Sequence, residues 1–415
     1  MRHYSDVSPG IDSGVDQAVA VHEDPSSQAP DGTPRARSEV NGIGFDPRWL
    51  QQANGLFYRP LGYGLLRAQV GLADGSPWLA HTVSVLHHLA NVALFALLLR
   101  RLRLPWRTAL LMAFVPTAVP GIAWVAAAYD RLAMTFGLLA ALGLTLPGLL
   151  GAIGLVPFAL ALASKETAVA FAAPLLAIAW QQRRNHAVAI AATVAALAFA
   201  AWRATNGATP PAYTPGLEGG AVVRLLRFLA FPWALGAQDP HATWGLRRAG
   251  ILGMVALFAL ALRGDRRLAL AASACLLAPL APILLLPKVE GHYLYLTTPG
   301  FVLLFAAAWR NRARAALAAT TALAALTLVD ALVVALDYRT LGRLMTSLTA
   351  AHAAAEPTMP FDVAPKGVFA LAVTERFLVH AELFHLRPTA RLAPDPDAFG
   401  VWTLAEDGPV TRRAR

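Results

Sequence analysis

Cysteine is almost absent from this chain, whose 415 residues include only Cys275. A single thiol cannot form an intrachain disulfide, which excludes a disulfide-stabilised scaffold. Because Cys275 lies within an apolar segment, we interpret it as a small core residue. Charged residues are also scarce at 14%, whereas 56% of the residues are hydrophobic. Apolar runs recur from Trp78 to Leu336, so we predict an all-α polytopic membrane protein whose helices satisfy their own backbone hydrogen bonds.

Acidic residues are fewer than basic ones, with 25 Asp and Glu against 35 Lys and Arg, a formal net charge of +10. Such a charge can indicate a nucleic-acid partner. Here, however, the arginines cluster in short loops between apolar spans, which is typical of cytoplasmic loops. We therefore exclude nucleic acid and predict a multi-pass protein of the bacterial inner (plasma) membrane, with the lipid bilayer as its first partner.

Large apolar residues are few before residue 45, and no basic start precedes an apolar core, so no signal peptide is predicted. Residues 1–44 are rich in Ser, Pro, Gly and Asp, which predicts a disordered tail. Residues 45–78 are predicted to be an extracytoplasmic amphipathic segment. It contains Asp46 at a helix start and carries Arg59 and Arg67. Interfacial anchoring explains most of these residues.

Residues 79–336 are predicted to form the transmembrane bundle, with about nine helices. Residues 221–236 are apolar but carry Arg224 and Arg227. If they crossed, later basic loops would lie outside, so we expect this segment to lie along the membrane or to re-enter it. Residues 337–415 alternate Pro with short apolar runs and predict a small extracytoplasmic α/β region.

A charge-free run from Arg131 to Lys165 is too long for one crossing of about 20 residues. It predicts two short helices that turn at Pro147-Gly148. A hairpin returns to the membrane face where it began, so Asp130-Arg131 should meet Lys165-Glu166 there. A third charged junction on the same face carries Lys288, Glu290, His292 and Tyr293.

Charges at helix ends can simply face headgroups, and that explanation suffices for any single junction. Their recurrence on one face favours a shared site. Cations beside carboxylates at a membrane surface suit transfer of a group from a lipid-linked phosphate. In such chemistry the cations bind the phosphate, and a carboxylate takes the proton of an acceptor hydroxyl.

Several motifs in order resemble the GT-C class of membrane glycosyltransferases, closest to its protein O-mannosyltransferase-like branch. The resemblance covers about residues 45–310 and implies a GT-C-like helical bundle. It also implies extracytoplasmic transfer of a sugar from a polyprenyl-phosphate donor. The motifs are Tyr58-Arg59-Pro60-Leu61, the Trp78-Leu79-Ala80-His81 stretch leading to Asn91, Trp124 to Ala133 around Asp130-Arg131, Ala163-Ser164-Lys165-Glu166-Thr167, and His292-Tyr293-Leu294-Tyr295-Leu296.

On this basis we assign candidate roles to nine residues. The resemblance leaves open the sugar, the acceptor (a glycan, a lipid or a protein) and the need for a divalent metal. The catalytic candidates are Asp130, Asp46 and Glu166, and the substrate-binding candidates are Arg59, Arg131, Lys165, Lys288, His292 and Tyr293.

The chain departs from the family before Trp78, where it has no apolar span and only Asp46 near the place of the family's acidic loop. We expect either an upstream helix and acidic loop beyond the given start, or loss of that loop. The second case predicts a catalytically inactive GT-C-like subunit or pseudoenzyme. A secondary transporter is a further alternative, although the charges lie at helix ends and no halves repeat.

Overall fold

The computed structural model describes eleven stretches of the chain. The predicted disordered tail and Asp46 lie outside them, as do Lys288 and Glu290. The described residues are 59–73, 77–123, 127–206, 220–233, 244–285, 291–311, 313–354, 362–366, 391–392, 402–405 and 411–412.

The first half of the described chain is helical, with short 3-10 segments at most junctions. The α-helices are α1 (Pro60–Ala73), α2 (Pro77–Arg101), α3 (Ala109–Met112), α4 (Val119–Ala123), α5 (Ala128–Leu144), α6 (Leu155–Ser164), α7 (Ala172–Gln182) and α8 (His186–Asn206). The 3-10 segments are Trp106–Thr108, Gly148–Gly154 and Glu166–Phe171.

The second half continues in the same way and ends in short strands. The α-helices are α9 (Ala221–Ala230), α10 (Trp244–Gly264), α11 (Arg266–Leu277), α12 (Thr298–Ala308) and α13 (Arg314–Ala354). The 3-10 segments are Phe231–Trp233, Ile283–Leu285 and Gly291–Thr297, and the strands are β1 (Asp362–Lys366), β2 (Arg391–Leu392), β3 (Trp402–Ala405) and β4 (Thr411–Arg412).

Several of the helices have the length and the apolar outer surface of membrane-spanning helices. Three of the described helices contain apolar windows long enough to cross a bilayer, at Trp78–Arg101, His186–Thr205 and Arg314–Leu336. Large apolar side chains face outward, such as Leu197, which is 66% exposed, and Leu252, which is 67% exposed. Extended apolar exposure is unfavourable in water and favourable in lipid. The chain is therefore a helical membrane protein, and the count of nine crossings stays a prediction.

The predicted hairpin is confirmed. Helices α5 and α6 run back along each other, and the chain turns at Pro147-Gly148, where Gly148 has a φ of +56°. That left-handed conformation favours glycine. The helices approach so closely that a Cβ on Gly143 would lie 2.7 Å from the Cα of Gly154. This packing brings the start of α5 beside the end of α6.

The two ends of the bundle differ in charge. At one end the α7–α8 turn contacts the end of α5, where Asn185 Nδ2 donates to the carbonyls of Leu144 (2.7 Å) and Leu146 (2.6 Å). Exposed arginines lie at this end, for example Arg183. The start of α5, with Asp130, and the end of α6, with Lys165, form the opposite end. The predicted separation of an arginine-rich face from a mixed-charge face is thus present in the fold.

Helix α9 is ten residues long and measures about 15 Å, half the thickness of the hydrocarbon core. It is too short to cross the bilayer by itself. Residues 234–236 lie outside the described stretches, so the arrangement of residues 221–236 stays a prediction. Arg224 is 5% exposed, and its Nε donates to the carbonyl of Leu284 at 2.8 Å. This arginine therefore anchors α9 to the bundle.

The C-terminal strands form a sheet in the order β2-β1-β3-β4. β1 pairs in parallel with β2 and β3, whereas β3 and β4 are antiparallel. The predicted boundary at residue 337 falls inside α13, which continues as one helix to Ala354. The apolar runs of residues 369–373 and 377–384 lie outside the described stretches, so a full α/β region stays a prediction.

Candidate functional site

A close helix contact positions the site. Helix α1 packs on the start of α5 and the end of α6, and Gly62 lies at the point of closest approach. A Cβ on Gly62 would lie 2.7 Å from the carbonyl oxygen of Ser164 and closer still to the side chain of Tyr129. Because only glycine fits there, α1 lies directly over the junction and brings Arg59 to it.

Lys165 and Asp130 form a buried ion pair across this junction. Lys165 Nζ donates to Asp130 Oδ1, and the two side chains are only 3% and 0% exposed. The pair joins the end of α6 to the first turn of α5, as the hairpin predicts. Burial lowers the pKa of Lys165, and the Asp130 carboxylate opposes that shift by favouring the charged ammonium.

Arg59 and Glu166 form a second ion pair beside the first and nearer the surface. Arg59 Nε donates to Glu166 Oε2 at 2.8 Å, and the side chains are 13% and 20% exposed. Burial by itself would lower the pKa of Arg59. The Glu166 carboxylate and Tyr129 outweigh burial and raise the pKa above its ordinary value, so this guanidinium stays charged.

Two tyrosine rings enclose the cations. The Tyr129 ring centroid lies 4.5 Å from Arg59 Cζ and 5.2 Å from Lys165 Nζ, and the Tyr293 centroid lies 5.4 Å from Lys165 Nζ. His292 packs against Tyr293 with ring centroids 4.3 Å apart. These cation–π contacts stabilise positive charge at the junction. The predicted candidates His292 and Tyr293 therefore lie beside the ion pairs.

We call Arg59, Asp130, Lys165 and Glu166 the charged cluster. Its two cations and two carboxylates balance in charge. Asp130 Oδ2 and Glu166 Oε1 are buried and make no hydrogen bond among the described residues. A buried carboxylate oxygen without a donor is costly. Each of these oxygens can therefore gain by accepting a proton or a hydrogen bond from a bound group.

Arg131 points away from the charged cluster, although it adjoins Asp130. It is fully buried, and its guanidinium donates to the carbonyl of Gly121 and to Gln69 Oε1 at 3.2 Å. Gln69 in turn donates to Ser84 Oγ at 2.8 Å. These contacts tie α5 to α4, α1 and α2. They support a structural role for Arg131 in place of the predicted phosphate contact.

Next to Arg131, a polar network crosses the bundle core. His88 Nε2 donates to the carbonyl of Met112 at 3.1 Å, so its Nδ1 accepts the hydrogen of the Tyr295 hydroxyl at 2.8 Å. Asn91 Nδ2 donates to the Tyr295 oxygen at 3.1 Å and to the carbonyl of Arg131 at 3.0 Å. These hydrogen bonds join α2 to α5 and to the 3-10 segment that contains Tyr295, an interhelical role typical of polar side chains in membrane helices.

The structure brings together six of the nine predicted site residues: Arg59, Asp130, Lys165, Glu166, His292 and Tyr293. Arg131 is adjacent but directed elsewhere, and Asp46 and Lys288 lie outside the described residues. Glu166 pairs with Arg59, although Lys165 is its neighbour in the chain. Within the described stretches, no group of three His, Cys, Asp or Glu residues could hold a metal ion.

Sequence reasoning gave no role to Gly62, Gln69, Tyr129 or Tyr295. Tyr129 precedes Asp130 directly, and an aromatic residue beside a charged pair was a usable signal. Gln69 and Gly62 carry no such signal because their function depends on which helix packs against α1. Tyr295 lies within the predicted third junction, but its partner His88 is 207 residues away in the chain.

No protein-family model matches this chain, and no curated protein matches it. Among solved structures, ArnT from Cupriavidus metallidurans bound to undecaprenyl phosphate is similar to it. The TM-score is 0.43 and the identity 14%, over 82% of this chain and 77% of that chain. A likeness of this size is too small to assign a fold or a function, which must be argued from the site itself.

Proposed function

We propose that the chain is a GT-C-like glycosyltransferase that transfers a sugar from a polyprenyl-phosphate donor to an extracytoplasmic acceptor. The observation that carries the proposal is the charged cluster, in which two cations and two carboxylates lie at one end of a membrane bundle. The four residues of the charged cluster come from three separate motifs. Each of these motifs is one through which the sequence resembles the GT-C class.

Lys165 and Arg59 are proposed to bind the donor phosphate. Arg59 and Glu166 are partly exposed, whereas Lys165 and Asp130 lie beneath them. An approaching phosphate therefore meets Arg59 first. A charge-assisted hydrogen bond from Lys165 to the phosphate would replace its bond to Asp130. The cations would then neutralise the charge that develops on the leaving phosphate.

Asp130 is the proposed general base. When Lys165 turns to the phosphate, both oxygens of Asp130 become available to an acceptor hydroxyl. The hydroxyl oxygen forms a bond to the anomeric carbon, and the bond from that carbon to the phosphate oxygen breaks. The bonding electron pair leaves with the phosphate, and the hydroxyl proton passes to the carboxylate. Glu166 keeps Arg59 oriented.

A catalytically inactive GT-C-like subunit is the second candidate, and the closed ion pairs favour it. Each carboxylate already bonds one cation, so the charged cluster satisfies most of its own charge. Buried ion pairs of this kind can serve to fix a helix junction. On this alternative the cluster holds α1, α5 and α6 together without turnover.

Turnover in isolated membranes separates the two candidates. Membranes containing the wild-type chain are supplied with radiolabelled polyprenyl-phosphate hexoses and pentoses, and released polyprenyl phosphate is measured. The enzyme proposal predicts release by the wild type and a loss of at least about 100-fold with Asp130→Asn, within the range for general-base catalysis. The exposed Arg67 on α1 supplies the control, since Arg67→Gln should retain wild-type release. Equal release with wild type and empty membranes would favour the inactive subunit.

A further inference from the structure

An apolar cavity of about 60 Å³ lies between α2, α5, α7, α11 and α12. Its walls are apolar apart from Gln181. Representative lining residues are Leu99, Leu138, Leu175, Leu268 and Leu303.

The cavity is separate from the charged cluster. Asp130 lies in the first turn of α5, whereas Leu138 and Ala141 of the same helix line the cavity. Eleven residues of helix separate Asp130 from Ala141, a rise of about 16 Å. The lining runs from Leu102 and Gln181 at the arginine-rich end to Phe171 and Leu296, and it includes no residue of the charged cluster.

The mouth of the cavity lies between α7 and α11. The lining residues Ala177 and Ala271 are half-buried there, and Gln181 is exposed. Ala177 and Ala271 are small, so the lining is least covered between these two helices.

Exposed positive charges lie next to lining residues in the chain. Exposed arginines adjoin lining residues in the chain: Arg103 lies between Leu102 and Leu104, and Arg267 precedes Leu268. Arg266 is exposed beside Arg267. An apolar cavity below a basic rim matches a molecule with an anionic head and a hydrocarbon tail.

Exposed tryptophans place the rim at headgroup depth. Trp106 is 49% exposed and Trp180 is 77% exposed, and Trp180 directly precedes the lining residue Gln181. Tryptophan is enriched at the membrane–water interface. The arginines thus lie where lipid phosphates lie, and the cavity extends from that level toward the membrane interior.

We propose that this cavity binds one acyl chain of an anionic phospholipid from the leaflet at the arginine-rich end, with its phosphate held by Arg266 and Arg267. A zwitterionic phospholipid offers the same chains but no net negative charge. The bound lipid would fill the space between α7 and α11 and support their packing. It is a ligand separate from the proposed sugar donor.

Native mass spectrometry of the purified full-length chain in an uncharged detergent tests the proposal. The probes are phosphatidylglycerol and phosphatidylcholine with identical acyl chains. Each arginine near a bilayer contributes about a fivefold preference for anionic lipid. The wild type should retain phosphatidylglycerol at least about fivefold more than phosphatidylcholine, and the double variant Arg266→Gln/Arg267→Gln should lose that preference. Arg248→Gln, an exposed arginine at the opposite end of α10, is the control and should retain it.

A second variant tests the cavity itself. Ala271→Phe should close the mouth and reduce bound phosphatidylglycerol by at least about fivefold, because the excluded acyl chain loses the burial of its methylene groups. Leu270→Phe on the lipid-facing side should not reduce it. Equal retention of the two lipids by the wild type would overturn the proposal even if a variant failed to fold. One-for-one displacement of phosphatidylglycerol by undecaprenyl phosphate would also overturn it, since the cavity would then belong to the donor. Lys165→Met should leave retention unchanged, which separates this site from the transfer site.

Discussion

Gly62 offers a sharp test of how the site is assembled, because one methyl group there should separate α1 from the hairpin. The Cβ of Gly62→Ala would lie 2.7 Å from the Ser164 carbonyl oxygen, whereas ordinary contacts begin at 3.4 Å. The backbone of α1 or of α6 must therefore move by about 0.7 Å or more. Tyr129 lies closer still to the added carbon, so the movement cannot be absorbed by one flexible side chain.

This displacement should lower the free energy of unfolding. Overpacking a close contact costs about 1–3 kcal/mol, and replacing glycine by alanine in a helix returns about 0.5–1 kcal/mol. The net expectation is a loss of about 0.5–2 kcal/mol. The move also carries Arg59 away from Glu166, whose hydrogen bond at 2.8 Å has little tolerance for it.

Gly64 is the matched control, since it lies on the same helix and a Cβ there would meet nothing within 4 Å. Gly64→Ala should therefore raise the melting temperature slightly through helix propensity. The assay is thermal unfolding of the purified proteins in one detergent, followed by binding of polyprenyl phosphate. Gly62→Ala should have a lower Tm than Gly64→Ala and weaker binding. Equal or higher Tm for Gly62→Ala would refute the close packing of α1 on the junction.

Three further predictions concern the surrounding structure. Tyr295→Phe removes the hydroxyl that bonds His88 and Asn91, and unfolding measurements should show a loss of about 1–3 kcal/mol, whereas an unchanged stability would contradict the core network. Arg131→Gln should lower the Tm because the contacts to Gly121 and Gln69 are lost, and the folded fraction should keep wild-type affinity for polyprenyl phosphate. A selective loss of affinity would show that Arg131 binds the phosphate. Arg184→Cys in a Cys275→Ala background should resist membrane-impermeant maleimide added to intact cells, and strong labelling would reverse the predicted topology.

The hairpin was predictable because its signal is physical and local. A charge-free run longer than one crossing, with Pro and Gly at its midpoint, has few other solutions in lipid. The meeting of Asp130 with Lys165 follows from that geometry. The short length of α9 has a similar explanation, since two arginines within an apolar stretch disfavour a crossing.

The exact pairing of charges was not predictable. Lys165 has an extended backbone, with φ −158° and ψ 139°, between α6 and the next 3-10 segment. Glu166 begins the 3-10 segment, so the backbone direction changes between the two residues and their side chains bond different partners. Asp130 and Arg131 diverge because consecutive residues of a helix are rotated by about 100°. Sequence adjacency identifies which charges share a junction, but only packing decides which of them bond.

Binding of polyprenyl phosphate to Lys165→Met is the measurement that tests the central claim most directly. Loss of a charge-assisted hydrogen bond costs about 1.5–3 kcal/mol, which is a rise in Kd of about 10- to 150-fold. The comparison uses purified wild type and Lys165→Met in the same detergent, with Arg67→Gln as the charge-matched control and with each Kd corrected for the folded fraction. The account predicts this rise for Lys165→Met and an unchanged Kd for Arg67→Gln. An unchanged Kd for folded Lys165→Met would contradict the proposal that the charged cluster binds the lipid phosphate.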